Sequence, residues 1–294
     1  MSAAATAPHA ARTASNVRSG PTVARVAAAE WTKLTSLRSA WWTAAVTVLV
    51  GGAITYLSAR ASSVDPGFEP LDSLTAGLVL AQVGPLVLGV LVGAGEFRTG
   101  AFRSTFTTVP RRWPVLVAQT LAVAAFALVT GVLTTAAGVV GILPSAMSRG
   151  MTVDLTADGG PGMLLGMVLF LVGMALLGLA LGALLRRTVP ALVTALLLVL
   201  VLPIVLMLAS DPLVGGGDAA TMAAAADAPA TTVVGTLGVL LPGAAGSLMT
   251  TSASAGGMEG APDLGPVGGG LVLATWVLVL LAAAALRLRT RDVR

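Results

Sequence analysis

The chain has 294 residues, of which 56% are hydrophobic and only 10% are charged, and its mean hydropathy is +0.92. A soluble domain of this length could not bury so much apolar surface, so the composition predicts a polytopic membrane protein. The formal net charge is +4, which basic residues flanking membrane spans explain better than nucleic-acid binding does. Cysteine is absent and His9 is the only histidine, which excludes thiolate chemistry, a histidine metal site and a Ser-His-Asp triad.

The first 40 residues divide into a tail and an amphipathic helix. Residues 1–21 are small and polar and lack the apolar core of a signal peptide, so we predict a disordered cytoplasmic tail. Residues 22–40 follow a helical period with an apolar stripe, which predicts an elbow helix lying in the membrane interface. The stripe contains Val23, Val26, Ala27, Leu34, Leu37 and Trp41, while Arg25 and Lys33 are turned away from it.

Glu30 is a charged residue that falls within this apolar stripe. An unpaired carboxylate on an apolar surface is costly. Either the stripe contacts protein and Glu30 meets a cation there, or the helix is tilted and Glu30 reaches water.

Six later segments are long and apolar enough to cross the roughly 30 Å hydrocarbon layer as helices. Pro85 and Pro203 predict kinks in the second and fifth of these spans. Two motifs that permit close helix approach lie at Gly89–Gly93 and Gly178–Gly182. The predicted spans are residues 41–57, 74–95, 115–143, 163–185, 189–209 and 267–286.

The segment between the fifth and sixth spans, residues 210–266, is rich in Gly, Ala and Asp. Within it, Val233–Leu241 is apolar but too short to cross a bilayer as a helix, and it stops at Pro242 and Gly243. This pattern predicts a short re-entrant or interfacial helix before the last span. Residues 287–294 form a basic tail after that span.

The distribution of charge predicts the orientation in the membrane. Six alternating spans place all but Arg60 and Arg149 of the 17 basic residues on one side. All but Glu30, Glu96 and Asp292 of the 13 acidic residues fall on the other side. Because basic residues concentrate in cytoplasmic loops, we predict a multi-pass protein of the cell membrane with both termini in the cytoplasm.

The chain lacks the groups that would let it power transport by itself. It contains no P-loop motif, and no ionisable residue lies in the middle of a predicted span, where ion-coupled carriers need one. Its deepest polar side chains either form interhelical hydrogen bonds or line a substrate path. These side chains are Gln82, Gln119, Thr130, Thr134, Thr135 and Thr194. An active transporter with this sequence would therefore take its energy from another chain.

A short charged loop, residues 95–114, separates the second and third spans. It carries Glu96, Arg98, Arg103, Arg111 and Arg112 within a protein that has few charges. A short basic loop held between two spans is a place where a soluble partner could push on the membrane domain.

This loop resembles the first intracellular loop of the type-2 permeases of ATP-binding-cassette (ABC) transporters. The resemblance lies in Glu96-Phe97-Arg98-Thr99-Gly100, followed by Arg103 and by Pro110-Arg111-Arg112. Ala101 departs from the threonine that usually follows the glycine, and residues 215–229 look like an expanded outer loop.

Two further stretches resemble the same family and occur in the family's order. Glu30-Trp31-Thr32-Lys33-Leu34 with Leu37-Arg38-Ser39 is similar to the elbow helix of actinobacterial members. Leu241-Pro242-Gly243-Ala244-Ala245-Gly246 is similar to the segment before the last span. Together with the loop and six spans, the resemblance covers most of the chain.

The resemblance implies that the chain is half of a transporter and is not itself an enzyme. Two permease copies or homologues would form the pathway, and two cytosolic ATPase subunits would bind the ATP. Glu30 would pair with a loop arginine or with the ATPase. The implied sites are an ATPase-coupling contact at Glu96, Arg98, Gly100 and Arg103, an elbow contact at Glu30, Lys33 and Arg38, and an outer gate at Pro242, Gly243 and Gly246.

Two other functions are compatible with a polytopic chain. It could be a membrane scaffold or sensor without transport activity, or an intramembrane enzyme or ion-coupled carrier, although the latter needs buried ionisable groups. For the transporter, a pathway without fixed charge predicts an amphiphilic or apolar substrate, and we expect export.

Overall fold

A computed structural model describes residues 22–99, 113–156, 159–210, 231–251 and 260–290. Within these ranges the regular structure is entirely helical. Six helical segments are long and apolar enough to cross a membrane. The predicted all-α polytopic membrane fold with six spanning helices is therefore confirmed.

The described helices are numbered in chain order. The elbow helix is α1, and the spans are α2, α3 with α4, α5, α6, α7 with α8, and α11. The helices are α1 Val23–Ser36, α2 Arg38–Ser62, α3 Ser73–Ala81, α4 Val83–Thr99, α5 Trp113–Ser148, α6 Gly160–Leu185, α7 Thr188–Leu196, α8 Leu202–Ser210, α9 Val233–Val239, α10 Pro242–Ser247 and α11 Gly265–Thr290.

Several helices run beyond the predicted spans. The first span extends over Arg38–Ser62 instead of residues 41–57, and the third ends at Ser148 instead of residue 143. Hydropathy reports the apolar part of a helix, whereas its backbone hydrogen bonds continue into the interface. Apolar length therefore underestimates these helices at their polar ends.

The irregularities predicted at two prolines are present. Pro85 has no N–H to donate to the carbonyl four residues earlier, and the second span is broken at Gln82, between α3 and α4. In the fifth span, Pro203 cannot donate a hydrogen bond to the carbonyl oxygen of Val199. The residues around that carbonyl, Leu197–Val201, are π-helical. A π-bulge is a common way for a helix to accommodate such an interruption.

The fourth span, α6, forms the centre of the bundle. In its most apolar window 67% of residues are buried, against 17% in the fifth span and 22% in the first and last. It packs against α4, α5, α7 and α11, and Leu171, Met174 and Leu177 are fully buried on it. A helix that is apolar all round belongs in the interior. The outer spans instead present Leu and Val side chains to the surroundings.

The two glycine motifs pack against each other. The Gly89–Gly93 motif of α4 faces the Gly178–Gly182 motif of α6. A Cβ atom on the first glycine of each motif would lie 1.9 Å from the Ala175 carbonyl oxygen and 2.1 Å from the Leu86 carbonyl oxygen, respectively. No side chain fits at these distances, so the α4 and α6 backbones are in direct contact. We call this contact the glycine seam.

Two arginine side chains make hydrogen bonds at the end of the bundle remote from α1, and one of them joins two loops. Arg149, which follows α5, donates hydrogen bonds to the carbonyl oxygens of Ser63 at 2.9 Å and Asp65 at 3.1 Å, in the loop after α2. Arg60 donates to the Tyr56 hydroxyl at 3.3 Å. These two arginines are the exceptions to the predicted charge asymmetry, and both have structural hydrogen-bond partners.

At the opposite end, α6 and α11 finish side by side. Arg186 donates to the carbonyl oxygen of Arg287 at 3.1 Å, and Arg287 in turn donates to the carbonyl oxygen of Leu184. Cationic side chains at helix C-termini satisfy free carbonyls and interact favourably with the helix dipole. The fourth and sixth spans thus end on the same side, as alternate threading predicts.

Candidate functional site

The elbow helix is held against the bundle by a buried leucine. Leu34 is 3% exposed and belongs to an apolar cluster with Ala40, Leu88, Val123 and Phe126. These residues come from α2, α4 and α5, so the leucine of α1 reaches between three helices. The apolar stripe of the elbow helix therefore contacts protein, and not only the membrane interface.

Aromatic residues fix the angle between α1 and α2. The Trp41 indole N–H donates to the Thr35 carbonyl oxygen at 2.8 Å, which satisfies one of the free carbonyls at the end of α1. The rings of Trp41 and Trp31 pack on Phe126 of α5, with centroid distances of 5.5 and 6.4 Å. Such aromatic pairs add to the burial energy of the rings.

Glu30 forms an ion pair with a cation, as expected if the apolar stripe contacts protein. Its Oε2 atom lies 3.4 Å from the Nζ atom of Lys33, and its side chain is 11% exposed. Lys33 is 48% exposed, in agreement with the prediction that it turns away from the stripe. Residues three apart on a helix are neighbours, and the long lysine side chain reaches back to the carboxylate.

A cleft of about 320 Å³ opens beside this ion pair. It lies between α1, the start of α2, the end of α4, the start of α5 and the first residue of α7. The lining residues are Glu30, Lys33, Leu34, Leu37, Ser39, Leu88, Leu91, Val92, Gly95, Gln119, Ala122, Val123 and Thr188. We call this space the elbow cleft.

The elbow cleft brings together part of the predicted site. Glu30 and Lys33 line it together with Gly95, the first residue of the charged loop. Arg38 is exposed at the first position of α2 and lies outside the cleft.

The predicted coupling residues lie at or beyond the edge of the described structure. Glu96 and Arg98 belong to the last turn of α4, but their side chains are outside the described part. Gly100 and Arg103 fall outside the described residues altogether.

Gln119 is one of the six deep polar residues whose role the sequence left open. It is 5% exposed, lines the elbow cleft and makes no side-chain hydrogen bond with the described residues. Ser39 and Thr188 also line the cleft, and the sequence analysis did not single them out as site residues. Only an amide in an otherwise apolar run could have pointed to this place.

Among the described residues, the other deep polar side chains form no hydrogen bonds between helices. Thr130 and Thr134 donate to the carbonyl oxygens of Phe126 and Thr130, four residues earlier in α5, at 3.0 and 2.8 Å. Gln82 donates from Nε2 to the Val79 carbonyl oxygen at 2.8 Å. The interhelical interpretation is therefore wrong for these side chains, which bond within their own helices.

The predicted outer gate forms a bent helix pair. Residues Val233–Val239 and Pro242–Thr250 meet at 67° and together have the length and composition of either a broken span or a re-entrant loop. The Thr232 hydroxyl caps α9 by accepting the Gly235 N–H at 3.0 Å. Pro242 is buried at the first position of α10, where proline is well tolerated.

The two gate glycines are close-packed in this pair. A Cβ atom on Gly243 would lie 3.1 Å from the Val199 carbonyl oxygen of the π-helical segment. One on Gly246 would lie 2.6 Å from the Phe170 ring of α6. The Trp276 indole of α11 donates to the Leu240 carbonyl oxygen at 2.9 Å. The bent pair is thus wedged between α6, the fifth span and α11.

Acidic and histidine side chains do not form a metal site in the described ranges, where no group of three or more could hold an ion. A comparison with models of known protein families finds no match for this chain, and neither does a comparison with curated proteins.

Proposed function

We propose that this chain is the membrane-spanning permease subunit of a type-2 ABC transporter, driven by a separate cytosolic ATPase. One observation carries this proposal: Glu30 and Lys33 of the elbow helix line the same cleft as Gly95, at the root of the charged loop. A soluble subunit that contacts the loop would therefore also reach the elbow helix. The motif resemblance supports the same pair of contacts.

The packing supplies a route for movement from the loop to the outer end. A force that the ATPase applies to the loop would act on α4. The glycine seam joins α4 to α6 without intervening side chains. On the outer side, Phe170 of α6 packs on Gly246, and Gly166 approaches the Met249 carbonyl oxygen. Because protein interiors are densely packed and compress little, α4, α6 and the bent pair would move together.

The exposed spans support a dimeric pathway and an apolar substrate. The most apolar windows of the first, fifth and sixth spans are only 22%, 17% and 22% buried, which leaves faces for lipid or for a second permease copy. An interface of Leu and Val side chains suits an amphiphilic or apolar substrate. Export of such a substrate is the function that we propose.

Isolation of the full chain from its native membrane tests the proposal. We expect a P-loop ATPase to co-purify and to hydrolyse ATP. The double charge reversal Glu30→Lys with Lys33→Glu should reduce the recovered ATPase at least tenfold, because it inverts the elbow contact. Glu69→Lys, in a loop at the other end, is the matched control.

Two results would contradict the proposal. One is recovery of the folded chain without any ATPase, which a scaffold or sensor would give. The other is equal ATPase recovery with the wild-type chain and the elbow double variant.

A further inference from the structure

We propose that the elbow cleft binds one phospholipid of the adjacent leaflet, with an acyl chain along its apolar walls and the glycerol ester region at Gln119. The volume of about 320 Å³ lies at the lower end of the roughly 300–1,000 Å³ typical of small-molecule sites. Lipid binding requires no ATPase and extends beyond the transport function proposed above.

Gln119 indicates that the ligand has a polar group. The residue is 5% exposed, lines the cleft and makes no side-chain hydrogen bond with the described residues. Its amide is not among the fully enclosed polar atoms that lack a partner, so it is accessible from the cleft and can pair with a polar ligand group. Its amide has two N–H donors and one acceptor oxygen. A lipid ester carbonyl that entered the cleft would accept one of these N–H groups.

The walls indicate that most of the ligand is a hydrocarbon chain. The cleft is lined by four buried apolar side chains, those of Leu34, Leu88, Ala122 and Val123. Side chains of this kind gain by contact with a flexible apolar chain.

Exposed apolar side chains at the cleft favour an opening towards lipid. Leu37 and Leu91, which line the cleft, are 48% and 38% exposed, and exposed leucines between membrane spans contact lipid. The Glu30–Lys33 ion pair lies at the same rim, where the polar head of a lipid would lie. Phospholipid is the solvent at this depth, so its local concentration is high.

Native mass spectrometry of the purified full chain tests the proposal. The protein is equilibrated with palmitoyl-oleoyl phosphatidylglycerol and phosphatidylethanolamine in detergent and is then depleted of free lipid. We expect the wild-type chain to retain one phospholipid. Ala122→Phe fills the cleft and should lower the retention at least tenfold. Ala125→Phe, on an exposed position of the same helix, should retain lipid as the wild type does.

A second variant and a folding control complete the test. Gln119→Leu keeps the volume but removes the amide, and should lower lipid retention several-fold. Circular dichroism and gel filtration report whether each variant is folded. Photo-cross-linking of the wild-type chain with a diazirine-labelled acyl chain adds an independent result, with expected adducts on the cleft residues Leu88, Val92 and Ala122.

Three outcomes would overturn the lipid site. The first is equal lipid retention by Ala122→Phe and Ala125→Phe. The second is a wild-type chain that retains no lipid, as expected if protein fills the cleft. The third is cross-linking confined to outward-facing residues such as Leu49.

Discussion

The helix α4 has two contrasting surroundings. Along the glycine seam its backbone contacts that of α6, and a Cβ atom on Gly89 would lie 1.9 Å from a carbonyl oxygen. On another face of the same turns, Leu88, Leu91 and Val92 border a cleft of about 320 Å³. One helix is thus fixed to the central span on one face and borders an open cleft on another. A force applied at the end of α4 would then be transmitted inward, while the cleft absorbs local change.

The glycine seam should be the region most sensitive to added volume. Gly178→Ala places a methyl group 2.1 Å from the Leu86 carbonyl oxygen, so the backbones must separate. We expect a loss of unfolding free energy at or above the upper end of the ~1–3 kcal/mol seen for overpacking.

Gly162→Ala on the same helix is the matched control, because nothing lies within 4 Å of its Cβ position. Its effect should stay within about 0.5 kcal/mol. Thermal unfolding in detergent compares the two variants. Equal stability of both would show that the seam is not tightly packed.

The anchor of the elbow helix should be the next most sensitive point. Leu34→Ala removes a side chain from a buried position that is 3% exposed. We expect this substitution to lower the free energy needed to detach α1 from the bundle by about 2–4 kcal/mol. Leu37→Ala, at a 48% exposed position, should cost much less. Hydrogen exchange of the α1 amides measures the detachment. Equal exchange in both variants would contradict the anchoring role of Leu34.

The indole hydrogen bond between the first two helices should contribute less. Trp41→Phe keeps a ring next to Phe126 but leaves the Thr35 carbonyl without its 2.8 Å donor. We expect a loss of about 1 kcal/mol, visible as faster exchange in the last turn of α1. Trp42→Phe, with 71% exposure, should change nothing in this turn. An effect of Trp42→Phe as large as that of Trp41→Phe would remove the basis for this prediction.

The Glu30–Lys33 pair should matter least for stability. Lys33 is 48% exposed, so solvent screens the pair, and Glu30→Gln should change the unfolding free energy by less than about 0.5 kcal/mol. If the elbow helix contacts an ATPase through this pair, the same variant should still weaken ATPase recovery. A large loss of stability in thermal unfolding would instead mark Glu30 as a structural residue.

The sequence was sufficient to predict the spanning helices, but not to predict which helices pack against each other. Hydropathy located six spans, and Pro85 and Pro203 marked the breaks in two of them, because these signals depend on local chemistry. The two glycine motifs were visible, yet nothing local says that Gly89 faces α6 and not another span. That pairing depends on the packing of all the helices.

The candidate site shows the same division between local and global information. The sequence showed that Glu30 required a cation or water, but it did not show that the exposed Lys33 would supply the cation. The position of Gln119 in a cleft could not be predicted, because the cleft forms between helices that are far apart in the sequence. Apolar length also missed the polar ends of α2 and α5, where helix continues outside the hydrocarbon.

Single-cysteine labelling tests most directly whether the elbow end faces the cytosol, where an ATPase can reach it. The native chain has no cysteine, so Thr105→Cys, Ala225→Cys and Val293→Cys each carry one probe. We predict that a membrane-impermeant maleimide labels Ala225→Cys in intact cells, and labels the other two only after permeabilisation. Labelling of Thr105→Cys from outside would contradict the coupling site, and labelling of Val293→Cys from outside would show that the bent pair crosses the membrane as a seventh span.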